Sequence, residues 1–200
     1  LVSMWAGKST SLAGGLVSIS GGVGVANTGG AVSVSSGEGT ATSSGAVHIR
    51  SANSGTEGAS GKLVFSSGTS KTGNSGAIMI GSGAATAGRG GLVSISAGSG
   101  TSGVGGLVSM WAGKSTSLAG GLVSISGGVG VANTGGAVTI SSGEGTATSS
   151  GAVHIRSANA GTSGVSGKLV FSSGTSKTGN SGAIMIGSGA ATAGRGGLVG

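Results

Sequence analysis

The sequence predicts an all-β fold, a single-chain β-solenoid (parallel β-helix) running through residues 1–200, and three observations carry that prediction. A phrase of fifteen residues restarts along the whole chain, apolar residues alternate with small polar ones in the first half of each phrase, and glycine recurs at a constant place. Repetition at this length is the mark of stacked architectures, in which one unit buries nothing alone and is covered by its neighbours.

The phrases begin at Gly14, Gly29, Ser44, Ser60, Ser75, Gly90, Gly105, Gly120, Gly135, Ser150, Ser166, Ser181 and Gly196. Their spacing is fifteen throughout, except for sixteen from Ser44 and from Ser150. The second position is glycine every time, as at Gly15, Gly30, Gly45 and Gly61. Such restriction predicts a corner where the missing Cβ lets the backbone turn or approach its neighbour.

The fourth position reads Val17, Val32, Val47, Leu63, Ile78, Val93 and Val108, and the sixth reads Ile19, Val34, Ile49, Phe65, Ile80, Ile95 and Met110. With mostly polar or small residues at positions five and seven, this alternation predicts a half-buried strand with positions four and six inward. The tenth position (Lys8, Val23, Glu38, Asn53, Thr69) and the twelfth (Thr10, Val25, Thr40, Lys71, Thr86) face solvent on this reading. Positions eleven and thirteen, almost always Gly, Ser, Ala or Thr, then form an inward return arm small enough for close approach. Stacking such coils pairs each backbone with the coil above and below. The usual crossover preference makes the stack right-handed.

A longer period lies above the first. Residues 107–200 repeat residues 1–94 at an offset of 106, with only Ser33, Val34, Ser54, Glu57, Ala59 and Ser94 changed, to Thr139, Ile140, Ala160, Ser163, Val165 and Gly200. The expected organisation is therefore one continuous array: a seven-coil super-repeat over 1–106, then a truncated second copy over 107–200, cut from a longer chain. The sixteenth residue of the longer phrases is expected as a loop bulge between Arg50 and Ser60.

Composition narrows the function classes. Fifty glycines, two tryptophans, two phenylalanines and no tyrosine cannot pack an ordinary globular core. Taken alone, such a composition reads as a low-complexity chain that buries too little to offset its ordering entropy; the periodicity is what argues against that. No apolar run is long enough for a transmembrane helix. No cysteine is present, so there is neither a disulfide scaffold nor a thiolate metal site. The net charge of +7 comes from ten singly scattered basic residues, without the cluster or aromatic platform of a nucleic-acid binder.

The phrases "SSGAVHIRSANAGTSGVSGKLVFSSGTSKTGNSGAIMIGSGAATAGRGG" and "GGAVTISSGEGTATS" resemble the long Gly/Ser-rich repeat proteins of stramenopile algae such as diatoms and brown algae. The resemblance covers essentially the whole chain. It implies a large, repetitive, secreted protein of structural character, and it brings no catalytic residues.

Chemical motifs reduce to turns. "AGKST" at Ala6 and Ala112 lacks the glycine that a phosphate-binding loop needs five residues before Gly7, where Val2 stands. "GSGTSG" at Gly98–Gly103 is followed by no helix pattern. His48 with Arg50, repeated as His154 with Arg156, has no aspartate anywhere in the chain to orient an imidazole. Calcium-binding solenoids need aspartates in every turn, so no metal or cofactor is expected. No Asn begins a glycosylation sequon, which leaves the serines and threonines open to O-linked sugars.

The function expected is thus non-enzymatic: an extracellular structural rod or filament component, stiffened by hydrogen bonds between coils and self-associating into filaments or bundles. The alternative is a binding module on the same rod, an adhesive or ice-binding surface with Thr10, Thr40, Thr86, Thr101 and Thr116 in one rank. The expected lateral interface is an outward island of Leu92, Leu107, Leu122 and Trp111, repeated by Leu1, Leu16 and Trp5, where other phrases carry mostly Ala or Lys. On this reading seven coils span about 34 Å along the axis. Phe65→Asp unfolds the neighbouring coils by burying an unpaired charge, while Ser66→Asp is nearly silent.

Overall fold

The computed structural model describes residues 2–200, and among them there is no helix, no β-strand and no sheet. The expected β-solenoid, or β-helix, with its handedness and stacked internal ladders, is therefore overturned. The chain is an irregular coil that keeps the repeat in its bends, its close backbone approaches and its pattern of exposure. It divides into two units, Leu1–Ile95 and Ser96–Gly200, a division that does not coincide with the 106-residue repeat.

Bends recur once per phrase, at positions twelve to fourteen, as in residues 25–27, 40–42, 101–103 and 131–133. In the two sixteen-residue phrases the bend comes one residue later, at 56–58 and 162–164. The extra residue is thus taken up between the apolar alternation and the bend. Serine at position eleven organises several of these bends. The Leu12 N–H donates to Ser9 Oγ at 2.9 Å and the Gly73 N–H to Ser70 Oγ at 3.0 Å, with Ser115 and Ser176 repeating both in the second copy. A hydroxyl that captures an amide three residues on holds a turn without a sheet.

The recurrent backbone interaction closes the second half of one phrase onto the start of the next. The N–H of Gly15 donates to the Gly7 carbonyl at 2.8 Å, and Gly30 to Gly22, Gly45 to Gly37, Gly106 to Gly98, Gly121 to Gly113, Gly136 to Gly128 and Gly151 to Gly143 repeat it at 2.8–3.0 Å. The donor is always the second position of one phrase, and the acceptor lies eight residues back, at the ninth position of the phrase before. A stack would instead send that N–H to the equivalent place a full phrase away. The donor that could join phrases is used to close a loop.

This explains the glycines. Among the described residues only Gly58, at φ 101°, takes a left-handed backbone conformation. Several others are required by proximity rather than by φ. A Cβ on Gly15 would lie 2.9 Å from the Gly7 nitrogen, and one on Gly21 would stand against the Gly30 carbonyl.

Burial decides the rest. A compact protein of 17.9 kDa exposes about 8,000 Å² and its unfolded chain about 26,000 Å². This chain exposes 19623 Å², so it has withdrawn only about a quarter of its surface from water, against roughly 70% for an ordinary domain. No described residue is buried, and the most covered are Ser9, Gly21, Gly39, Ser51, Gly145 and Ser157. The repeat nevertheless grades the exposure. From Val17 to Val199 the fourth position stays between 47% and 55%, while the leucines of position three exceed 85%. Phe65, expected in a core ladder, is 62% exposed, so Phe65→Asp meets water and does not unfold neighbouring phrases.

Two outcomes are expected. Gly21→Ala breaks the Gly30-to-Gly22 closure and speeds exchange of the Gly30 amide in NMR, whereas Gly22→Ala, whose Cβ meets nothing within 4 Å, leaves that amide unchanged. With so little surface to expose, the dilute chain shows no sigmoidal unfolding in urea by circular dichroism, only a gradual drift.

Candidate self-association surface

The island of leucine and tryptophan is built by the third and seventh positions. The structure leaves Trp5 and Trp111 at 89% and 92% exposure, with Leu16, Leu92, Leu107 and Leu122 equally open. Leu1 lies outside the described residues. Leu92 belongs to the first unit; Leu107, Trp111 and Leu122 belong to the second. In the second unit the bonds Gly106 to Gly98 and Gly121 to Gly113 close loops on either side of the Leu107–Trp111 stretch. That stretch is therefore presented between two closed loops, with its large side chains in water.

Two recesses lie elsewhere among the described residues. One, of about 350 Å³, is lined by His154 and Arg156. It joins a base to a cation and contains no nucleophile or carboxylate, so it offers no acid–base pair. The other, of about 380 Å³, is lined by Phe65, Ile78, Met79 and Ile80. Among the described residues no three of His, Cys, Asp and Glu come together to hold a metal ion. No helix there is long and apolar enough to cross a membrane. The five threonines Thr10, Thr40, Thr86, Thr101 and Thr116 each stand at the first residue of a bend, and no strand carries them as a flat rank.

Sequence reasoning passed over the second recess. Its signal was the fifth position, which is Ser, Thr, His or Gly in most phrases but Val64 and Met79 in two successive ones, and Val170 and Met185 in the second copy. A periodicity search weights the residues that conform, and here the informative ones break the alternation.

The exposed indoles give a direct check. In dilute solution Trp5 and Trp111 emit at the red, fully hydrated limit and are quenched freely by acrylamide. Raising the concentration until the chain associates shifts the emission to the blue and protects it. No family model, curated protein or solved structure matches this chain.

Proposed function

We propose that this chain is a structural component that builds filaments or bundles by self-association outside the cell, with no catalytic role. One observation carries the reading: every complete phrase sets apolar side chains at two fixed positions, yet no described residue is buried within the chain. Apolar rows that a chain maintains but does not cover are satisfied by another surface, since contiguous exposed apolar area marks interfaces. The 106-residue repeat presents the same pattern more than once per chain, and a repeated site at a constant step propagates into a polymer instead of closing as a dimer. The sparse charge favours the same outcome, because thirteen charged residues among two hundred give little repulsion between copies.

Sedimentation velocity and electron microscopy across a concentration series test the reading. The intact chain is expected to form elongated assemblies, and Trp111→Ser with Leu107→Ser to raise the concentration needed by about tenfold or more, from the lost burial of two large side chains. An intact chain that stays monomeric at every concentration and salt level overturns the structural role. Unaltered assembly by the double variant removes the Leu/Trp stretch as the contact.

A further inference from the structure

The two apolar triplets of each 106-residue repeat differ from every other phrase in a way that identifies what covers them. Leu63–Val64–Phe65 and Ile78–Met79–Ile80 are apolar at positions four, five and six together, and Leu169–Val170–Phe171 and Ile184–Met185–Ile186 repeat them. An extended segment with successive apolar residues is apolar on both faces, so a contact on one side leaves the other in water. Met79 and Met185 are both 91% exposed, Val64 and Val170 64% and 63%, and Phe65 and Phe171 62% and 61%. The same presentation is made twice in one chain.

The backbone there is equally unpartnered. Among the described residues, every backbone-to-backbone hydrogen bond lies at or before Gly45, or between Gly98 and Gly151. Residues 46–97 and 152–200, which contain the four triplets, make none. Serine hydroxyls bond the Gly73 and Gly179 N–H groups and the Gly91 carbonyl in these stretches, but none bonds the triplets, whose free amides and carbonyls coincide with doubly apolar side chains.

We infer that the Ile78–Ile80 and Ile184–Ile186 segments, with the recess against Phe65, dock a second copy of this chain, paired backbone to backbone with like residues in register. The inference rests on the self-association reading and names its pairing site. Charge selects the occupant. Residues 72–88 carry no charge between Lys71 and Arg89, and residues 178–194 none between Lys177 and Arg195, so identical copies stack there without opposing like charges. Identical uncharged segments free of proline, with β-branched or unbranched apolar side chains on both faces, interdigitate with themselves as dry zippers while each backbone pairs with the next. A partner of other sequence has no charged or hydrogen-bonding side chain on these triplets to recognise.

The test uses the full chain. Met79→Lys with Met185→Lys is expected to lengthen the assembly lag by more than about tenfold, because it sets unpaired like charges in the paired segment, and Met79→Leu with Met185→Leu to restore it. Both positions are open to solvent, so neither change disturbs the isolated chain. The absence of cysteine allows one spin label at a time. A label on Met79→Cys collapses to an exchange-narrowed line in the assemblies, since in-register copies bring labels to about 4.8 Å, whereas a label on Thr101→Cys in a bend keeps three resolved lines. Wild-type kinetics for the lysine pair, or an unnarrowed spectrum at position 79, overturns the pairing site. If at the same time Trp111→Ser with Leu107→Ser is impaired, self-association stands and only this site falls. An intact chain that never assembles overturns both.

Discussion

The hydrogen bond from a glycine N–H to a glycine carbonyl eight residues back is the interaction on which the rest of this structure depends. At Gly15 and Gly30 it requires glycine at the donor, because a Cβ there would come within 2.9 Å of the facing backbone nitrogen. It also uses up, between neighbouring phrases at their junction, the donor that a stacked architecture would send to the equivalent place a full phrase away. With the junctions closed in this way there is no sheet for positions four and six to pack beneath. The exposure of those positions, about half at the fourth and more at the sixth, follows directly.

The 106-residue repeat then separates into two kinds of backbone. Around Gly7–Gly45 and Gly98–Gly151 the loops are closed, and there the chain carries Trp5 and Trp111 on display. Through residues 46–97 and 152–200 no backbone bond closes, and there the apolar triplets interrupt the alternation. In the proposed assembly these are complementary parts. The closed loops offer side chains for lateral contact, and the open stretches offer side chains and backbone together. Hydrogen bonding gains most where water is excluded, so pairing and apolar burial at the triplets reinforce each other.

A single copy that withdraws about a quarter of its surface from water has little with which to resist extension. In the proposed assembly, stacked copies would add the missing burial without any change of sequence, because every copy supplies the same segments. Among Lys8, Glu38, Arg50, Glu57, Lys62, Lys71 and Arg89 the charges are single, and the stretches from Lys8 to Glu38 and from Lys71 to Arg89 stay neutral. That spacing leaves room for like segments to meet, while the net charge of +7 limits indiscriminate collapse.

The repeat length, the extra residue between Arg50 and Ser60, the glycine at position two and the outward leucines of position three follow from local spacing, and the sequence by itself determined them. Gly30 needed no tertiary information, since a missing Cβ acts where the backbone approaches, whereas Val32, expected inward, stands about half exposed. Whether phrases stack is a different question. It turns on whether the Gly30 N–H reaches a full phrase away or only eight residues back to Gly22, two bonds of similar strength that no periodicity distinguishes. The composition pointed the right way on this, because two phenylalanines and two tryptophans leave too little to bury against the ordering entropy of each rung. Only the tertiary structure decided for closure at the phrase junction, and with it that Val47, Phe65 and Ile78 stand in water and not in a core.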